Sequence, residues 1–172
     1  MPALRVTGRR VAMMSIAQQL REIIESARPR LLEMSDGGVS EKLFPEKWSI
    51  KEILGHLVDS ASNNHQRIVR MQQVPDIGRF SYDQTHWVSS QHYRSEHWQD
   101  LVNMWYFYNT HLAHVIEHID VESLTNVCDI GYPKPATLQF VVEDYVRHLQ
   151  HHIDQIFSGS DPRERAKWKI MQ

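Results

Sequence analysis

Ser49-Ile50-Lys51-Glu52-Ile53-Leu54-Gly55-His56-Leu57-Val58-Asp59-Ser60-Ala61-Ser62-Asn63-Asn64-His65-Gln66-Arg67-Ile68-Val69-Arg70-Met71 is the stretch on which the fold turns. It opens on Ser-x-x-Glu, a capping box. The serine hydroxyl and the glutamate carboxylate there satisfy two of the backbone N–H groups that a helix start leaves unpaired. Ile53, Leu57, Ala61, Ile68 and Met71 follow at helical spacing and form one apolar stripe, with Asn64 as its polar exception. The stripe stops before Pro75, so the stretch reads as a helix with one face to bury.

Three more segments carry the same period. Before it, Ile16, Leu20, Ile23, Ala27, Leu31 and Met34 share a face from about Ser15, with a kink or break expected at Pro29 and an end at Asp36-Gly37-Gly38. After it, a helix is expected from an N-cap at Ser95 to Ile119, with Leu101, Met104, Tyr108, Leu112, Val115 and Ile119 inward. A last helix starts near Thr137 and lines up Leu138, Val141, Tyr145, Leu149, Ile153 and Ile156, with Gly159 as its C-cap. No strand signal appears. The expected fold is therefore all-α, an antiparallel four-helix bundle over residues 15–158. A flexible arm (1–14) precedes it and a charged tail (159–172) follows, in which Trp168 is a candidate for packing. Residues 75–94 form a long connection rich in aromatics: Phe80, Tyr82, Trp87 and Tyr93. Long connections of this kind are often functional, and this one and the next leave room for a crossover.

The chain has 172 residues, enough for one domain with a real core. Nineteen basic and 21 acidic residues give a net charge of −2, so nothing favours a nucleic-acid partner. No apolar run is long enough to span a membrane. The single cysteine, Cys128, excludes an internal disulfide framework and, without a secretory signal, points to the cytoplasm.

Eleven histidines stand out. His148 and His152 lie one helical turn apart in Arg147-His148-Leu149-Gln150-His151-His152. Residues at i and i+4 share a face, and two imidazoles so placed can reach one metal ion. His151 is turned about 100° away from His152, toward solvent or a partner helix. On the second helix His56, Asp59, Asn63 and Arg67 make a polar line beside the apolar stripe, an arrangement that suits an interior polar site. His56 would complete three ligands and leave an open position, the pattern of a catalytic centre. The plainer readings are a surface histidine pair, a satisfied bundle histidine and a solvated face. His111, His114 and His118 offer a competing series, read as a partly exposed face. Glu-x-x-His pairs of a di-iron site and the His-Glu-x-x-His motif are both absent.

The run Trp48 to Ser60, the following Asn63 and Arg67, Tyr82-Asp83 with Trp87, and His148-Leu149-Gln150-His151-His152 together resemble the DinB/YfiT-like superfamily over about residues 15–158. That resemblance implies a four-helix bundle holding a divalent metal, often nickel or zinc, on His56, His148 and His152. It also implies metal-dependent hydrolysis, or transfer reactions using low-molecular-weight thiols such as bacillithiol or mycothiol, and a homodimer. The expected function is a metal-dependent enzyme acting on an unknown small molecule. Asp59 is its candidate base or histidine-orienting group, and Asn63, Arg67, Tyr82 and Trp87 shape the substrate mouth. Arg67 suits an anionic group such as a carboxylate. The alternatives are a non-catalytic metal-binding or stress-response binding protein, and a purely structural bundle.

Overall fold

The computed structural model describes residues 2–42 and 44–160. Most of the expected tail, residues 161–172 with Trp168, lies outside the described residues. Six helices occur along the described chain: α1 (Pro2–Leu32), α2 (Asp36–Ser40), α3 (Ile50–Met71), α4 (Gln84–Ser90), α5 (Trp98–Glu117) and α6 (Leu138–Ser160). The long ones, α1, α3, α5 and α6, build the four-helix bundle.

Their order in space differs from their order in sequence. α1 packs on α5 and α6, and so does α3, which places α1 diagonally across from α3. Side-chain pairs give the directions. Arg21 bonds Glu117, Glu25 bonds Tyr106, Arg28 bonds Asn103, and the Leu31 carbonyl accepts from Trp98, so α1 and α5 are antiparallel. Lys51 meets Glu96, His65 meets Tyr108 and Gln72 meets Asp120, so α3 and α5 run the same way. His56 faces His148 and His152 while Arg67 and Asp144 share a cavity wall farther along, so α6 runs against α3. In chain order the four helices run up, down, down, up.

Two consecutive parallel helices require the chain to return along the whole bundle. α3 has 22 residues, about 33 Å at 1.5 Å per residue. Residues 72–97 make that return, which accounts for the long aromatic connection. Its path is held by a small sheet: β1 (Asp76–Arg79) pairs parallel with β2 (Val127–Asp129), and β2 pairs antiparallel with β3 (Ala136–Thr137). These strands were not legible in the sequence, because two to four residues show no usable alternation.

The capping box of α3 is present in full: Ser49 N–H donates to Glu52 Oε2 at 2.7 Å and Glu52 N–H to Ser49 Oγ at 3.3 Å. The stripe of α6 is buried from Leu138 to Ile156 as expected. Other expectations need correction. α1 begins at Pro2, not Ser15, and Met13 is 1% exposed, so the expected arm is a continuation of the helix with at least one residue in the core. Pro29 sits inside α1 without breaking it. α1 ends three residues later, so the one backbone N–H that Pro29 lacks falls in its last turn. α5 starts at Trp98 after a short 3-10 turn over Tyr93–Ser95. Its buried face is Trp98, Leu101, Val102, Trp105, Leu112, Ala113 and Ile116, whereas Met104, placed inward from the sequence, is 42% exposed. Apolar residues surround much of this helix, so its period left the inward direction ambiguous. α6 continues through Gly159 to Ser160.

Candidate metal centre

His56 lies in the second turn of α3, and His148 and His152 lie in the middle of α6. The capping box fixes where α3 starts, and therefore which way His56 points. His56 is 0% exposed; His148 and His152 are half-buried. Nε2 of His148 lies 3.3 Å from Nε2 of His56 and 3.1 Å from Nε2 of His152. One nitrogen from each ring lies within 4.8 Å of the other two. Nitrogens bound at about 2.0–2.1 Å to a tetrahedral ion stand roughly 3.3–3.4 Å apart, so the spacing fits an ion held by three imidazoles.

The protonation pattern agrees. Nδ1 of His152 meets Gln155 Oε1 at 2.8 Å. An amide oxygen only accepts, so this Nδ1 carries the proton and Nε2 is left as a lone pair. Burial, and then the neighbouring imidazoles, push His56 down to about 3. Burial, then His152 and His151, push His148 down to about 4, and burial lowers His152 against the opposing effect of its bond to Gln155. Neutral rings with converging lone pairs are what a divalent cation requires. Nδ1 of His56 is buried without a partner. Trp48 covers one side of the centre, its ring centroid 5.1 Å from that of His56.

Beside His148 a cavity of about 170 Å³ opens between α3 and α6. Arg67, Tyr82, Asp144 and Tyr145 are in its wall. Arg67 is 8% exposed and donates from Nε and Nη2 to the Phe80 carbonyl, at 3.0 and 2.8 Å, and from Nη1 to Asn64 at 3.2 Å. Burial lowers its pKa, while Cys128, Tyr82 and Asp144 act in the other direction. Burial raises Tyr82 to about 12, so it stays a neutral phenol.

The remaining residues singled out in the sequence lie near the return connection. Asp59 Oδ1 accepts from Tyr93 at 2.7 Å and from Gln91 at 2.5 Å, while its Oδ2 is buried without a partner. Burial raises the Asp59 pKa against those two hydrogen bonds. Asn63 donates to the Asp59 carbonyl at 2.9 Å. Trp87 packs edge-on against Tyr82 with centroids 5.2 Å apart. Thus Arg67 and Tyr82 enter the cavity wall, Trp87 backs Tyr82, and Asp59 and Arg67 grip the two ends of the connection.

Sequence reasoning missed Asp144, Gly55 and Gln91, and it marked Tyr93 as an aromatic of the connection without foreseeing its bond to Asp59. Asp144 stands one turn before His148, a spacing that puts both on one face of α6. His111, His114 and His118 are exposed, and so is His151, as the plainer reading had it. His65 and His111 meet edge-on, with centroids 5.2 Å apart, on the side of α3 that faces α5.

Fold and site together define a helical bundle with an up-down-down-up course and a three-imidazole cluster beside a polar cavity. The family model of the DinB superfamily matches residues 19–156, and the chain belongs to that superfamily. Among solved structures it is similar to one described as "YfiT from Bacillus subtilis is a probable metal-dependent hydrolase with an unusual four-helix bundle topology". The TM-score is 0.73 at 15% identity, covering 88% of this chain and 85% of that one. No curated protein matches the chain. Among the described residues, no helix is long and apolar enough to cross a membrane.

Proposed function

We propose that this chain is a metal-dependent hydrolase acting on a small molecule, with a divalent ion, zinc or nickel, held by His56, His148 and His152. The observation that carries this reading is the convergence of three imidazoles, held neutral by burial, beside a polar cavity that His148 helps to line. Bound there, the ion supplies Lewis acidity and lowers the pKa of a water or thiol at its open position.

The chain's own residues supply the rest. Gln155 holds the His152 ring through Nδ1 and keeps its Nε2 available. The burial of His56 excludes bulk water from the inner side of the centre. Asp59 is the candidate base: its Oδ2 is free of partners and its raised pKa brings proton uptake closer to neutral pH. Arg67 and Tyr82 contact substrate from the cavity wall, Trp87 sets the tilt of Tyr82, and Asn63 holds the backbone at Asp59.

The test is metal content per chain, by plasma mass spectrometry, on untagged protein, with His152→Ala beside it. About one ion per chain, absent from the variant, is the expected result. Loaded protein is then assayed on a panel of esters, amides and thiol-conjugation substrates before and after chelation. A wild-type chain that takes up no ion after incubation with zinc and with nickel would sink the metal assignment. A loaded chain with no turnover on any substrate would leave a metal-dependent binding protein.

A further inference from the structure

We propose that the cavity between α3 and α6 binds a small zwitterion, a ligand with a carboxylate and an ammonium a few bonds apart as in an α-amino acid, its carboxylate on Arg67 and its ammonium on Asp144. The proposal deepens the functional reading above and rests on that cavity being the substrate chamber.

Arg67 is a buried cation with no carboxylate paired to it among the described residues. Three of its N–H groups are committed, to the Phe80 carbonyl and to Asn64. A guanidinium has five, so two remain for a ligand. Such a buried charge is costly unless something compensates it. Asp144 stands in the same cavity wall. Its own ion pair, through Oδ1, is with Arg147, which is 68% exposed and reaches it from the solvent side. Arg67 and Asp144 act on each other electrostatically, yet they form no ion pair across the cavity.

A ligand entering between these two groups meets both signs of charge. A simple anion would satisfy Arg67 and be repelled by Asp144. A simple cation would meet the reverse. A zwitterion compensates both, and on the Arg67 side it does so against a buried guanidinium, where a charge-assisted pair is stronger than at the open surface. The hydroxyls of Ser60 and Tyr82 are in the same wall and suit the polar atoms of such a head group. A space of about 170 Å³ admits a head group rather than a polymer. The reacting end of the ligand would then point along α6 toward His148.

The experiment is ligand-observed NMR titration of the full chain with L-alanine, propionate and ethylammonium. It is run on the wild type and on His152→Ala, where binding cannot arise by chelation to an ion. L-Alanine is expected to bind saturably to both proteins, about tenfold or more tighter than propionate or ethylammonium. Asp144→Asn, which preserves shape, should lose about tenfold in L-alanine affinity. Arg67→Gln, checked for folding by circular dichroism, should lose at least as much. Equal binding of L-alanine and propionate, or L-alanine affinity unchanged in Asp144→Asn, overturns the proposal. So does an absence of L-alanine binding by the folded wild type. Metal uptake with no L-alanine binding removes the zwitterion and leaves the hydrolase reading. L-Alanine binding by a chain that takes up no metal does the opposite.

Discussion

A Cβ built on Gly55 would lie 2.1 Å from Cδ2 of Tyr93, a separation no real pair of carbons tolerates. The missing side chain is what lets Tyr93 lie flat on α3 and reach Asp59 one turn further on. Gly55→Ala therefore sets a gain in helix propensity of up to about 1 kcal/mol against an overpacking cost of about 1–3 kcal/mol. Net destabilisation is expected as a lower urea midpoint. In a Tyr93→Ala background the same substitution should be neutral or stabilising, because the clash is gone and the two changes are coupled. Equal costs in the two backgrounds would show that the close approach is not what the glycine serves.

At the scale of elements, α3 does two jobs through its polar line. Its start presents His56 to α6, and its later turns hold the return connection at Phe80, Gln91 and Tyr93. The capping box is therefore placed where it matters for the centre. Ser49→Ala removes the acceptor for the Glu52 N–H and should lower stability by about 1 kcal/mol, measured by chemical denaturation. Replacing Ser49 by Asp, which also accepts from a backbone N–H, should restore most of that. A midpoint unchanged in Ser49→Ala would mean that packing alone fixes the first turn. The connection itself is stitched to the segment between α5 and α6 by the three-stranded sheet, which continues through the Phe80 N–H to the Asp129 carbonyl at 2.8 Å. From there the Phe80 carbonyl takes Arg67, so one residue links the sheet to the cavity wall.

For the whole molecule, the histidine cluster ties stability to pH. His56 falls to about 3 and His148 to about 4 in the folded chain, against about 6.5 unfolded. Between those values the unfolded chain binds more protons than the folded one, so stability is full above about 6.5 and is lost as pH falls toward 4. Each histidine contributes a slope of at most about 1.4 kcal/mol per pH unit. In protein kept with a chelator, denaturation midpoints should drop across this window, and His148→Gln should flatten the drop. Adding zinc near neutral pH should raise the melting temperature, as any ligand of the folded state does. At one hundred times its Kd the gain is about 2.7 kcal/mol. A midpoint indifferent to zinc in the wild type would contradict a centre built on these three rings.

Local pattern by itself determined four amphipathic helices, the capping box at Ser49, the inward stripe of α6 and the His148–His152 pair, because each depends only on spacing within one element. His56 was legible as a polar residue beside a stripe and as a candidate third ligand, but its meeting with His148 and His152 was not, since what brings it to α6 is a contact across the bundle. Tertiary structure alone decided the up-down-down-up course, the three short strands, the buried face of α5 and the helical continuation before Ser15. It also decided that Arg67 and Asp144 face one cavity. The physical reason is the same in each case. Helix direction, strand pairing and the meeting of distant charges are set by packing between elements, and no period within a single element records which neighbour it will bury itself against.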